Sequence, residues 1–102
     1  MKIVRVQYTA RQEYVAANKK NIERVMNDLR KINSPGIRYG AYLVEDGKTF
    51  MHFSQFETEE AQKVLNSLES FKQFQAELKA SVPEVPPKVE NLSLVGSSND
   101  IF

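Results

Sequence analysis

The sequence predicts one α+β domain with the element order strand-helix-strand-strand-helix-strand. Three patterns predict it: short runs of alternating polarity, two longer stretches with helical apolar spacing, and an Asp46-Gly47 pair between two apolar runs. The 102 residues fit a single domain whose core is thin, so that association of copies would stabilise it. We assign residues 1–95 to this domain and residues 96–102 to a C-terminal tail, which is either disordered or reaches a partner chain.

The first strand and the first helix are predicted from their spacing. Residues 2–8 alternate, so that Val4, Val6 and Tyr8 share one side of the strand, while Arg5 and Gln7 lie on the other. Thr9 and Gln12 match a capping box at the start of a helix. The residues that form its apolar stripe are Tyr14, Ile22, Val25, Met26, Leu29 and Ile32, and the helix is expected to end at residues 33–36.

Residues 37–45 and 48–56 form the predicted hairpin. Asp46-Gly47 suits a two-residue type I′ turn, which pairs Leu43 with Phe50 and Ala41 with His52. Opposed residues share a face, and one face then holds Ile37, Tyr39, Ala41, Leu43, Phe50, His52, Ser54 and Phe56. Since the other face is also partly apolar and two helices can cover only one side of the sheet, a second copy of the chain is the expected cover. We expect the face with Phe50 and Phe56 to depend on that copy.

The second helix begins after Thr58, a predicted N-cap, and breaks near Ser67 and Ser70, where Ser70 and Gln73 match a second capping box. Three prolines at positions 83, 86 and 87 indicate an extended linker. The last strand is predicted over residues 88–95, with Asn91 and Leu92 on opposite sides.

Composition excludes several functions. Fourteen basic and 13 acidic residues give a formal net charge of +1, which gives no electrostatic reason for binding nucleic acid or an anionic membrane. No apolar run reaches the roughly 20 residues of a membrane span. Cysteine is absent, which excludes disulfides and thiolate ligands, and with a single histidine no metal site is expected. We expect a cytoplasmic protein.

The stretch PGIRYGAYLVEDGKTFMHFSQFETEEA, followed by SFKQF, resembles proteins related to antibiotic-biosynthesis monooxygenases. The resemblance covers most of residues 2–95, includes the phrase Gln55-Phe56-Glu57, and is closest to an uncharacterised branch with a histidine in the third strand, here His52. It implies a ferredoxin-like chain that dimerises into an α+β barrel enclosing ligand pockets. Some such proteins oxidise phenolic or quinol-like compounds with dioxygen and no cofactor, and relatives degrade haem. This chain lacks tryptophan, which the haem-degrading relatives use, and has Leu65 where many members carry a histidine.

His52 is the candidate catalytic base, because an ordinary histidine titrates near neutral pH. Arg5 and Gln7 are candidates to stabilise an anion beside it, and Tyr39 could bind ligand or hold the imidazole in one tautomer. The other residues expected to line the pocket are Ala41, Phe50, Ser54, Phe56 and Asn91. Each also has a structural interpretation: His52 as a hydrogen-bonded strand residue, Arg5 as an ion-pair partner, and the aromatic residues as dimer core.

Three functions are compatible with this pattern. The first is a cofactor-independent monooxygenase acting on small aromatic or quinol compounds, with His52 as base. The second is a non-catalytic or stress-related homodimer that binds a small hydrophobic ligand. The third is a haem-binding relative with His52 as axial ligand. An apolar pocket suits all three, so the fold does not separate them.

Overall fold

Four strands and three helices follow one another in the predicted order, with the second predicted helix divided in two. The computed structural model describes residues 1–102. The strands are β1 (Lys2–Thr9), β2 (Ile37–Leu43), β3 (Thr49–Phe56) and β4 (Val85–Leu92). The helices are α1 (Val15–Ile32), preceded by a 3-10 turn over Gln12–Tyr14, α2 (Glu59–Ser67) and α3 (Glu69–Ala80). The predicted α+β, ferredoxin-like fold class is confirmed. None of the helices has both the length and the apolar character needed to cross a bilayer.

The sheet has the order β2-β3-β1-β4, and every neighbouring pair is antiparallel. In the central pair, Val6 lies opposite His52 and Arg5 lies opposite Phe53. Opposed residues of antiparallel strands project to the same side. Tyr8, Val6 and His52 therefore share one face of the sheet, while Arg5 and Phe53 share the other.

The β2–β3 hairpin has the predicted register but a different turn. Leu43 lies opposite Phe50 and Ala41 opposite His52, as predicted. Gly47 has a φ of 77°, whereas Asp46 has a negative φ, so the predicted type I′ turn is wrong. The Asp46 carboxylate instead accepts hydrogen bonds from the backbone amides of Lys48 and Thr49 and from the Thr49 hydroxyl. An aspartate that bonds its own turn in this way fixes the register without a positive φ of its own.

The predicted helix caps form only where the capping side chain has no other hydrogen-bond partner. Thr58 caps α2, with its Oγ1 accepting from the Ala61 amide at 3.2 Å, and the predicted break falls at Leu68. The Thr9–Gln12 capping box is wrong, because Thr9 still belongs to β1 and its hydroxyl bonds the Thr49 hydroxyl. The Ser70–Gln73 box is also wrong, because α3 begins before it, at Glu69, and the Ser70 hydroxyl is buried without a partner.

One side of the sheet, here called the covered face, carries Val4, Val6, Tyr8, Phe50, His52 and Phe56 and packs against the chain's own helices. Phe50 and Phe56 are only 3% and 2% exposed within a single chain. The expectation that this face depends on a second copy is therefore wrong, because α1, α2 and α3 supply residues to the same core. Burial of these large apolar side chains is the main stabilising contribution in a domain of this size.

The opposite side, here called the open face, carries Arg5, Gln7, Tyr42, Met51 and Phe53. Tyr42 is 61% exposed, and Met51 and Phe53 are partly exposed. At one end of this face the tail returns to the sheet, where the Phe102 ring lies 5.2 Å from the Arg38 guanidinium. The uncovered apolar surface of the chain therefore lies opposite to the side that the sequence suggested.

The last strand lies at an edge of the sheet and begins earlier than predicted. β4 spans Val85–Leu92 rather than residues 88–95 and contains Pro86 and Pro87, which the sequence placed in a linker. Both prolines are tolerated there because β4 lies at the edge of the sheet and its register with β1 shifts between Gln7 and Thr9, opposite Pro86 and Pro87.

Candidate functional site

The only histidine of the chain lies at the centre of the covered face. His52 belongs to β3 and is 4% exposed. Its ring lies between Tyr8 of β1 and Tyr39 of β2, with centroid distances of 5.4 and 5.8 Å, and Phe74 of α3 packs on it at 5.3 Å. Three strands and one helix thus fix the position of the imidazole.

Both imidazole nitrogens are hydrogen-bonded to tyrosine hydroxyls. The Tyr8 hydroxyl oxygen lies 2.8 Å from His52 Nε2, and the Tyr39 hydroxyl oxygen lies 2.7 Å from His52 Nδ1. Asn18, which is completely buried on α1, donates from Nδ2 to the Tyr8 hydroxyl at 2.8 Å. Four polar side chains therefore form one continuous hydrogen-bonded chain, Asn18–Tyr8–His52–Tyr39, in otherwise apolar surroundings.

Burial keeps this chain uncharged. It lowers the pKa of His52 to about 4, because the imidazolium would lose its hydration without gaining a counter-charge. Burial also raises the pKa of Tyr8 well above its ordinary value, partly offset by the hydrogen bond from Asn18, and raises the pKa of Tyr39 similarly. At neutral pH the site therefore contains one neutral imidazole between two neutral phenols.

An apolar cavity of about 630 Å³ adjoins this chain. Its walls come from the covered face, from α3 and from the segment Val82–Pro87. The lining residues are Val6, Tyr8, Tyr39, His52, Phe71, Phe74, Gln75, Leu78, Lys79, Val82, Pro83, Pro86, Pro87 and Val89. Lys79, at the exposed end of α3, is the only charged residue among them. A cavity of this size, mostly apolar and with a few convergent polar groups, is typical of small-molecule sites.

The segment Val82–Pro87 closes one side of the cavity and is held from outside. Arg11 Nε donates to the Val82 carbonyl at 2.7 Å, and Lys48 forms a 2.8 Å ion pair with Glu84. Val82 has a φ of 51°, which a β-branched residue rarely adopts. The segment therefore keeps a strained residue at the edge of the cavity, restrained by these two contacts.

The structure brings together only part of the predicted site. His52 and Tyr39 both line the cavity. The prediction that Arg5 and Gln7 lie beside His52 is wrong, because both project from the open face, where Arg5 forms a 2.5 Å ion pair with Glu90. The remaining predicted residues, Ala41, Phe50, Ser54, Phe56 and Asn91, share the covered face with His52 but do not line the cavity.

Tyr8, Asn18 and Phe74 were missed as site residues. Asn18 carried a detectable signal, since it occupies a position four residues from both Tyr14 and Ile22 on the apolar stripe of α1. A polar residue on such a stripe must find a hydrogen-bond partner when it is buried. Tyr8 was assigned to the correct side of β1, but the register between β1 and β3 was not available from the sequence.

No group of three or more histidine, cysteine, aspartate or glutamate side chains is arranged to hold a metal ion. His52 could ligate haem iron only by giving up its bond to Tyr8 or to Tyr39.

Comparison with known proteins places this architecture in a defined structural class. No family model matches the sequence, and no curated protein matches it. Solved structures match over nearly the whole chain, and many of them are named antibiotic biosynthesis monooxygenases. The chain thus has the fold of the antibiotic biosynthesis monooxygenases.

Three of these structures illustrate the match. One antibiotic biosynthesis monooxygenase has a TM-score of 0.74 and 13% identity, covering 94% of this chain and all of that one. A Mycobacterium tuberculosis protein has a TM-score of 0.78 and 16% identity over 96% of this chain and 98% of its own. SnoaB, a cofactor-independent oxygenase from Streptomyces nogalater, has a TM-score of 0.70 and 12% identity over 97% and 98% of the two chains. At these identities the similarity establishes the fold and not the reaction.

Proposed function

We propose that the chain binds a small aromatic compound of phenol or quinol type in the cavity beside Tyr39 and oxygenates it with dioxygen, without a cofactor. The observation that carries the proposal is an apolar cavity of about 630 Å³ in contact with the Tyr8–His52–Tyr39 hydrogen-bonded chain. The names of the structural neighbours support it, since one is a cofactor-independent oxygenase and another an antibiotic biosynthesis monooxygenase.

In this proposal His52 positions Tyr39 and is not itself the base that contacts substrate. Neither ring nitrogen is free, and a pKa of about 4 makes the imidazole a weak proton acceptor at neutral pH. The Tyr39 hydroxyl stabilises the substrate oxyanion by a hydrogen bond, which is worth most in an apolar cavity. Substrates are therefore compounds acidic enough to bind as their anion or to lose a proton to water at the cavity mouth.

The reaction balances without a further reductant. In a substrate that carries a methylene conjugated to its oxygen, such as an anthrone, the methylene loses one proton to water at the cavity mouth, and the resulting delocalised carbanion transfers one electron to dioxygen. The two radicals combine into a peroxide anion, which takes up one proton from water, and the O–O bond of the resulting hydroperoxide then breaks with loss of water. One oxygen atom remains as a carbonyl, and the other leaves as water with the two substrate hydrogens.

Oxygen uptake with a panel of phenols, quinols and anthrone-type compounds tests this proposal. We expect turnover with at least one of them and a loss of about 10²- to 10³-fold in kcat for Tyr39→Phe. Tyr42→Phe is the matched control, because it removes an exposed hydroxyl on the open face. Equal turnover by the two variants would contradict the role of Tyr39, and no uptake with any compound would contradict the oxygenase.

The second candidate is a non-catalytic protein that binds a small hydrophobic ligand in the same cavity. The low pKa of His52 and its two occupied nitrogens favour it, because they leave no group that acts as a strong base. Binding alone raises the stability of the folded state by mass action. Ligands that raise the melting temperature of the chain without oxygen uptake would support this function over the oxygenase.

We further propose that the open face pairs with the same face of a second chain to form a homodimer. All three helices supply residues to the core on the covered face, which leaves Tyr42, Met51 and Phe53 without cover. Sedimentation at micromolar concentration should show a dimer, and Phe53→Glu should yield monomers, whereas Lys72→Glu on α3 should not. A monomeric wild-type chain would contradict the dimer, but it would leave the cavity intact because the cavity lies within one chain.

A further inference from the structure

The four-residue chain Asn18–Tyr8–His52–Tyr39 can carry its protons in either of two directions. A tyrosine hydroxyl both donates and accepts, and a neutral imidazole has one N–H and one free lone pair. If every proton is directed toward the cavity, Tyr39 donates to a ligand. If every proton is directed toward α1, Tyr39 donates to His52 and can only accept from a ligand. The direction therefore decides what kind of oxygen or nitrogen the cavity recognises.

The orientation of the Asn18 amide determines the direction: Nδ2 faces the Tyr8 hydroxyl, while Oδ1 is buried without a hydrogen-bond partner. Its Nδ2 can only donate, so the Tyr8 oxygen accepts that bond and Tyr8 gives its own proton to His52 Nε2. The imidazole proton then resides on Nδ1 and is donated to the Tyr39 oxygen. Tyr39 forms no other hydrogen bond to the protein, which leaves its own proton for the cavity that it lines.

We infer that Asn18 holds His52 as its Nδ1–H tautomer and thereby makes Tyr39 a hydrogen-bond donor, so that the cavity selects apolar ligands presenting an acceptor oxygen, a carbonyl or a phenolate. Asn18 is a positioning residue: it lies on α1, does not line the cavity, and acts through Tyr8 and His52. The inference deepens the proposed function, since it names the ligand group at that site, and it requires no turnover.

Neutrality of the imidazole is a condition of this arrangement. An imidazolium would donate from both nitrogens and could not accept the Tyr8 proton. Burial lowers the pKa of His52 to about 4, so one direction persists throughout the neutral range.

The decisive measurement is the tautomer of His52 in the protein without ligand. The chain contains one histidine, so a long-range ¹H–¹⁵N spectrum of protein prepared without a polyhistidine tag reports this ring alone. We expect the proton on Nδ1, with an Nε2 shift typical of an unprotonated nitrogen. A proton on Nε2 would overturn the inference, and it would do so without bearing on whether the chain is an oxygenase.

The variant Asn18→Asp tests whether residue 18 determines the tautomer of His52. Once ionised, the new carboxylate can only accept, so Tyr8 donates to it and the imidazole proton moves to Nε2. Ionisation is followed through the carboxyl ¹³C shift of the same sample. Asn27→Asp, an exposed position on the same helix, is the matched control and should keep the wild-type tautomer. An ionised carboxylate at position 18 with an unchanged tautomer would overturn the role of Asn18.

The ligand preference is measured with 1-tetralone and tetralin, which differ in one carbonyl oxygen. We expect the wild type to bind 1-tetralone more tightly than tetralin. This preference, expressed as the ratio of the two dissociation constants, should fall by about 3- to 10-fold in Tyr39→Phe, the range expected for the loss of one hydrogen bond. Tyr42→Phe should keep the wild-type ratio. A ratio unaffected by Tyr39→Phe would overturn the donor role of Tyr39, whatever the outcome of the oxygen-uptake experiments.

Discussion

The polar groups on the two faces of the sheet are stabilised in different ways. On the covered face, Tyr8 and His52 are buried, Tyr39 is partly exposed toward the cavity, and the three are uncharged and bonded to one another. On the open face, Arg5 and Glu90 are charged and pair where their side chains are still 25% and 39% exposed. Both arrangements use the same strands, alternating residue by residue. The comparison shows that a polar group on this sheet is stabilised by water on one side and only by its protein partners on the other.

The loss of stability should differ most between the two faces when large side chains on β3 are replaced by small ones. Phe50 is buried in the core and Phe53 is partly exposed on the open face. Phe50→Ala should lower the free energy of unfolding by about 3–5 kcal/mol, because it removes buried contacts and leaves a cavity. Phe53→Ala should cost less than half as much. Urea unfolding of both variants at a protein concentration low enough to keep the chains monomeric measures this, and equal losses would refute the assignment of the faces.

Acid should destabilise the covered face through His52. The unfolded chain takes up a proton on His52 near pH 6.5, whereas the folded chain takes it up only near pH 4. Between these values the unfolded state holds more protons, so the free energy of unfolding falls as the pH falls. The shift corresponds to about 3 kcal/mol, fully present above pH 6.5 and lost by pH 4.

His52→Gln isolates this contribution. The carboxyls of Asp46 and Glu77 also have lowered pKa values, but they titrate equally in both proteins and cancel in the comparison. The variant should show a shallower loss of stability in this pH range. Parallel pH profiles would show that His52 titrates normally in the folded protein.

Removal of a single hydroxyl group should also destabilise the protein more on the covered face than on the open face, but by less than the Phe50 substitution. Tyr8→Phe leaves Asn18 and His52 Nε2 without a partner in the interior and should cost about 1–3 kcal/mol. Tyr42→Phe removes an exposed hydroxyl and should change stability by less than about 0.5 kcal/mol. Thermal unfolding of the two variants provides the comparison, and similar costs would mean that the buried chain contributes little.

The smallest effect is expected for the ion pair of the open face. In the monomeric chain Arg5→Ala should cost less than about 1 kcal/mol, because the partly exposed charges remain hydrated when unpaired. Added salt should reduce that cost further by screening. A cost that is larger than that of Tyr8→Phe, or that is independent of salt, would indicate that Arg5 is shielded by another chain.

The parts of the site that the sequence predicted are those within one hairpin. Tyr39 and His52 lie on strands joined by a short turn, so the alternation and the turn together fixed their common face. The register between β1 and β3 depends on packing between segments some 40 residues apart, and no local pattern encodes it. Arg5 and Gln7 were consequently placed on the wrong side of the sheet, although the alternation within β1 was correct.

The hydrogen-bonded chain was harder to predict for the same reason. Its members Asn18, Tyr8 and His52 come from α1, β1 and β3, and they meet only when the helix packs on the sheet. The predicted helix caps also depended on tertiary contacts. Thr58 had no competing partner and capped its helix, whereas the Thr9 hydroxyl bonded a neighbouring strand. Local signals hold where tertiary contacts do not offer a better partner.

The two prolines of the last strand limit how copies of this chain can associate. Pro86 and Pro87 lack amide hydrogens, and they lie on the outermost strand next to β1. A further strand added at that border would find fewer donors, which discourages growth of the sheet into fibrils from this side. The β4 border is therefore a poor site for the addition of another strand.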